Sequence, residues 1–133
     1  MTAVDARARS LRLRWERIAV GIRCAYNPCL PPVILHYLES GRRLVDAGVM
    51  EDAVVQRRML TVLLQSAGDE ALPCGWRCAC LKYAVHPRAR LVSLLDTRDP
   101  GAVRNLDDEV QWAQERLEAA LLTGLCVSAR VVK

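Results

Sequence analysis

One stretch constrains this chain more than any other. Asp99 and Pro100 stand before a run in which Val103, Leu106, Val110, Ala113, Leu117 and Leu121 recur every three or four residues, and Gly124 follows. An aspartate can accept from the orphan N–H groups of a first helical turn, and a proline there loses nothing by lacking its own. The spacing puts the apolar side chains in one stripe on an α-helix, which is stable only where other elements cover that stripe.

The same grammar recurs upstream. Leu11, Trp15, Ile18 and Ile22 follow at spacings of four, three and four, and a first helix is predicted over residues 4–18. Gly21, Asn27 and Pro28 predict a loop or short hairpin over residues 19–30, the main place with any strand signal. Pro31 and Pro32 open a second helix carrying Val33, Ile34, Tyr37, Leu38 and Leu44, with Gly48 as its C-cap. Glu51 and Asp52 place acids where a third helix dipole favours them, and Gly68 ends that helix. Asp69 is expected to cap a fourth helix, whose body from 76 to 85 is nearly all apolar and is therefore read as the central core helix. Pro87 ends or kinks it. The expectation is an all-α chain of five helices: one domain over residues 1–124 and a short apolar tail over 125–133. Trp15, Leu38, Met59, Leu63, Trp76, Tyr83, Leu106 and Leu117 are its expected core.

A chain of 133 residues is one ordinary domain, and 52% hydrophobic with 26% charged residues is a globular composition. No apolar run approaches the ~20 residues of a bilayer span, and the arginine-broken amino-terminal stretch lacks a signal peptide's apolar segment. A cytosolic setting is the expectation, and the six cysteines are read as mostly free thiols.

Charge is concentrated at one end. Arg7, Arg9, Arg12, Arg14, Arg17 and Arg23 face only Asp5 and Glu16 within the first 23 residues, which accounts for the whole net charge of +4. Such an end suits an anionic partner, phospholipid or nucleic acid, although solvated basic faces are common. Arg7, Arg14 and Arg17 share much of one helical face, with Arg9 and Arg12 to its side.

Signals for chemistry are weak. Cys74, Cys78 and Cys80 precede His86, but on a helix Cys80 points about 160° from Cys78, a poor start for tetrahedral zinc. Pairing a cysteine with His36 or His86 has nothing to orient it. No P-loop, G-x-G-x-x-G, G-x-S-x-G or H-E-x-x-H is present, and the adjacent Asp107, Asp108 and Glu109 read as a solvated face. No catalytic residue, metal site or cofactor is expected.

Four stretches, taken in order, resemble the matrix domain of lentiviral Gag polyproteins. They are R-W-E-R-I at 14–18; R-R-L-V-D-A-G-V-M-E at 42–51 with Q-R-R-M-L at 56–60; G-D-E-A-L at 68–72 leading to Y-A-V-H at 83–86; and L-D-T at 95–97 before the last helix. The family shows R-W-E-K-I, C-R-Q-I-L, G-S-E-E-L, Y-C-V-H and K-D-T at similar separations, and the resemblance covers about residues 1–120. It implies a five-helix globule with a short β-hairpin between helices 1 and 2. It also implies a structural role at the inner membrane face and in virions, with anionic lipid, RNA and envelope or host proteins as partners. Family members form trimers through the segment that corresponds to residues 61–72, so Thr61, Gln65, Gly68, Asp69 and Leu72 are the oligomer candidates.

The departures carry weight. Position 2 is Thr2, so the family's N-myristoylated glycine is missing, and Arg23 is the sole charge where the family has a lysine-rich hairpin. These losses fit a diverged or endogenous Gag copy that associates with membrane or RNA through arginines alone. The alternative expectation is a small helical protein–protein interaction module, viral or host, without a membrane role.

Overall fold

A computed structural model of the chain describes residues 2–26, 32–95 and 98–124. Its elements are α1 (Ala3–Arg23), α2 (Pro32–Asp46), α3 (Asp52–Ala67), α4 (Cys74–Tyr83), α5 (Val85–Leu94) and α6 (Pro100–Thr123). The described residues contain no strand. Gly48, at φ +71°, closes α2 with its own N–H on the Val45 carbonyl and the Val49 N–H on Leu44, a Schellman pair. The Asp99 carboxylate accepts from the Ala102 N–H at 3.3 Å, Pro100 begins α6, and Gly124 ends it at φ +72°.

Three expectations change. The first helix does not stop at residue 18. Ala19 and Ile22 continue the buried stripe of Trp15, so α1 runs on to Arg23, and a turn follows at residues 24–26. Helix replaces the expected hairpin as far as residue 23, because the burial of that extra turn outweighs the roughly 1 kcal/mol that Gly21 costs a helix interior. Residues 27–30, the rest of that expected loop, lie outside the described residues, as do 96–97 and the tail.

Secondly, Pro87 kinks rather than ends the fourth helix. A proline has no N–H for the carbonyl four residues back, here Tyr83, and its ring crowds that carbonyl. The break falls at Ala84, and the chain resumes as α5, which the sequence pattern missed. If α4 and α5 are counted as one bent helix, the architecture is the five-helix arrangement expected.

Thirdly, the centre belongs to α3, not α4. Val55, Met59, Leu60, Val62, Leu63, Leu64, Ser66 and Ala67 of α3 are buried, against Trp76, Arg77 and Cys80 of α4. Every other helix packs against α3. Trp15 stacks on Tyr37 at 5.5 Å between ring centroids, and the Trp76 indole donates to the Ile22 carbonyl at 2.9 Å, fixing α4 on α1. Of the expected core, Leu38 and Tyr83 are only half-buried, at its edge.

The buried carboxyl end of α3 has carbonyls with no intrahelical donor. Arg77 is fully buried and donates Nε to the Ala67 carbonyl at 2.8 Å, and Arg116 donates Nε to the Gly68 carbonyl at 2.8 Å. Arg23 donates to the Ser66 hydroxyl at 3.3 Å and to the Asp69 carboxylate at 3.2 Å. Three helices thus each send an arginine to one helix end, where the dipole favours positive charge. Asp69 does not cap α4: its carboxylate accepts from the Ala71 N–H at 2.9 Å and shapes the turn, and Pro73 precedes α4.

Two predictions test the packing. A Cβ at Gly41 would lie 2.6 Å from Met59 Sδ and 3.0 Å from Val55 Cγ1, whereas one at Gly21 meets nothing within 4 Å. Thermal melts should show Gly41→Ala destabilised by about 1–3 kcal/mol, and Gly21→Ala stabilised by about 0.5–1 kcal/mol. The second concerns Asp52, at the start of α3. Burial opposes its ionisation, but hydrogen bonds from Arg90 and Gln56 outweigh burial and hold the carboxyl below its ordinary range. A carboxyl depressed in the native state stabilises above its unfolded pKa of about 3.9, and that stabilisation fades as the pH falls through the native value. In urea unfolding, the deficit of Asp52→Asn should be largest near neutrality and shrink steadily below about pH 4.

Candidate anion-binding face

α1 begins with a capping box. The Thr2 hydroxyl accepts from the Asp5 N–H at 3.1 Å, and the Asp5 carboxylate accepts from the Thr2 N–H at 3.3 Å. This reciprocal pair holds the first turn and takes up the one acid near the amino terminus. Trp15, Ala19 and Ile22 bind the helix to the core, which leaves the opposite side to solvent.

Arg7, Arg9, Arg12, Arg14 and Arg17 are all exposed there, and among the described residues none makes an ion pair or side-chain hydrogen bond. Arg9, Arg14 and Arg17 surround Leu13, and with Ala6 and Ser10 they line a shallow cleft of about 310 Å³. Leu13 is 52% exposed and Val20 61%. Arg9 and Arg12 also edge a second shallow cleft floored by Trp15, Met50 and Val54, whose far side is Arg58, paired with Glu16 at 3.5 Å. The sequence reading missed Arg58; its only signal was the double arginine of α3.

The other arginines behave differently. Arg57 grips Glu109 through both terminal nitrogens at 2.7 and 2.8 Å, Arg90 meets Asp52 at 2.6 Å, and Arg116 meets Glu70 at 3.2 Å. Arg42 meets Asp46 at 3.8 Å, and Arg88 pairs with Asp107. Asp107 and Glu109 are therefore tied to α5 and α3 rather than being a simple solvated face; only Asp108 between them fits that expectation. Arg43 and Arg104 are exposed without a partner, but each is the one unmatched arginine of its helix among the described residues.

Arg23 leaves the expected anion-binding set. It turns inward to Ser66 and Asp69, with its side chain 35% exposed, because it lies round the helix from Arg14 and Arg17 on the flank facing the α3–α4 turn. The oligomer candidates do not form one surface in this chain. Gly68 and Leu72 are buried, Asp69 is held by Arg23, and only Gln65 is exposed, with the half-buried Thr61 at the edge of a cleft beside Trp112. Trp112 covers Gly68, where an added Cβ would lie 2.7 Å from its ring.

Among the described residues no three cysteine, histidine or acidic side chains come together to hold a metal ion. Cys78 and Cys24 are exposed free thiols, and Cys80 is a buried one. Burial pushes the Cys80 thiol up to about 12, so it is no thiolate at neutral pH. Cys74 is disulfide-bonded, an exception among the mostly free thiols expected. His36 and His86 are both exposed, His86 stacked on Tyr83 at 6.3 Å. Among the described residues no helix is long and apolar enough to cross a membrane.

Comparisons with protein families, curated proteins and solved structures find no match to this chain.

The split between inward and outward arginines is testable. Arg23→Gln should lower stability by about 1 kcal/mol, a modest figure because the pair is partly hydrated. Its binding to anionic vesicles should equal that of the unaltered chain. Arg14→Gln should do the reverse, and melts beside vesicle sedimentation read both.

Proposed function

We propose that this chain is a non-enzymatic, matrix-like structural protein whose α1 face docks on an anionic phosphate surface, the cytosolic face of a membrane. One observation carries this reading: five arginines on one helix are exposed and without acidic partners, whereas arginines elsewhere are mostly matched. Arginine's planar fork suits phosphate, and each basic residue near an anionic leaflet contributes about 1 kcal/mol. Leu13 and Val20, exposed among or beside these arginines, favour lipid over RNA, because apolar side chains can enter the interface while guanidinium groups stay at head-group level. Binding through this face alone is weak and reversible.

The resemblance of the four motif stretches to lentiviral matrix domains supports the same reading. A role in Gag assembly, envelope recruitment or a virion belongs to this proposal.

A second reading has its own observation. Trp112 is 47% exposed and projects between two clefts on α6, a feature of protein-binding surfaces. A protein-interaction module would use α6 and not α1.

The test is sedimentation with vesicles of phosphatidylserine and phosphatidylcholine, beside vesicles of phosphatidylcholine alone. Binding should need the anionic lipid and weaken steeply as salt rises from about 50 to 150 mM. Arg9→Ala/Arg14→Ala/Arg17→Ala should lose at least tenfold in partitioning, since about 3 kcal/mol of head-group attraction is removed. Leu13→Asn should weaken vesicle binding and leave binding of single-stranded RNA unchanged. Binding to RNA but to neither vesicle would reassign the face to nucleic acid; binding to neither would leave the α6 module.

A further inference from the structure

α1 and α6 both pack against α3 and leave their outer faces to solvent. The outer face of α6 is acidic from residue 108 to 118, one turn beyond the exposed Arg104. Asp108, Glu115 and Glu118 are exposed and make no ion pair among the described residues, unlike their neighbours Asp107 and Glu109. Three unmatched arginines of α1, at 7, 14 and 17, have the same spacing as these three acids: seven residues, then three. At 100° and 1.5 Å per residue, each triplet covers about 80° of helix surface and about 15 Å of axis.

We infer that the acidic outer face of α6 in one copy docks on the arginine face of α1 in a second copy. Two such helices, parallel and face to face, bring Arg7 level with Asp108, Arg14 with Glu115 and Arg17 with Glu118 in a single register. An antiparallel pair aligns the ends of the triplets but not their middle members. The parallel register also brings Leu13, 52% exposed, within two residues of the level of Trp112, 47% exposed, on the same side of the contact. An apolar contact thus flanks the ion pairs. The surfaces differ, so a docked pair keeps one free face of each kind, and the association is heterologous and can add further copies. It consumes the arginines that the proposed function offers to phosphate, so anionic surfaces compete with self-association.

The experiment is sedimentation velocity of the full chain without lipid, at about 50 and 500 mM salt, up to about 0.3 mM protein. At low salt the average mass should rise with concentration, and at high salt it should fall to the monomer. Asp108→Asn/Glu115→Gln/Glu118→Gln should remain monomeric at both salts, with its helical circular dichroism and its vesicle binding intact. A chain carrying R7E/R14E/R17E and a chain carrying D108K/E115K/E118K should each be monomeric alone and associate when mixed, because the swapped charges again match. The inference is overturned by a wild-type monomer at low salt, by a neutralised variant that associates as the wild type does, or by a swapped pair that stays apart. Vesicle binding by the α6-neutralised chain reads the proposed function separately, so the two can fail independently.

Discussion

The carboxyl end of α3 sets the terms for the rest of the molecule. From Val62 onward α3 is buried except at Gln65, and a buried helix end exposes carbonyl groups to a medium without water. Donors must come from the protein, and here they are Arg77 from α4 and Arg116 from α6, while Arg23 from α1 donates beside them to the Ser66 hydroxyl and the Asp69 carboxylate. A long side chain can leave a neighbouring helix at a distance and still deliver a charged donor where the dipole favours it. Fixing three helices to one point also fixes their relative positions. Arg116 further lies 5.3 Å from the Trp112 ring centroid, and that ring covers Gly68. The segment from 66 to 69 is thus an internal junction of the single chain.

That junction sorts the arginines by role. Those aimed inward or across helices are matched to carbonyls or carboxylates, which limits what they offer a ligand. Those on the outer side of α1 have only Asp5 near the start of their helix, and Asp5 is engaged with Thr2. The proposed membrane role rests on this contrast in partnering. An unmatched acidic stripe on α6 makes the molecule electrostatically lopsided, which suits both an anionic surface and a second copy of the chain.

Some of this was legible in the residue order and some was not. Gly48 and the Asp99–Pro100 start of α6 were read correctly because caps act locally, through hydrogen bonds within four residues. The Thr2–Asp5 box was equally local but was passed over. The end of α1 was misplaced because a glycine in a helix is a small penalty that distant packing can override, and Trp76 and Ser66, which meet that end, are far away in sequence. At Pro87 the sequence leaves an end and a kink equally open, because a proline near a helix start removes one bond and bends the chain, and only the packing of α5 decides that the helix resumes. The nearly apolar composition of residues 76–85 suggested a central helix, yet composition does not say how many neighbours surround an element.

By itself the sequence determined an all-helical chain, most of its helix starts and stops, and a concentration of arginine at one end. Each depends on local hydrogen bonding, a 3.6-residue period or a simple sum of charge. Only the tertiary structure decided which helix is central, that Arg23 belongs to the core junction while its five neighbours face water, and that Gly68 and Leu72 are covered within the chain. Those outcomes depend on which carbonyls lie buried and which carboxylates come within reach, and both are set by contacts between residues more than forty positions apart.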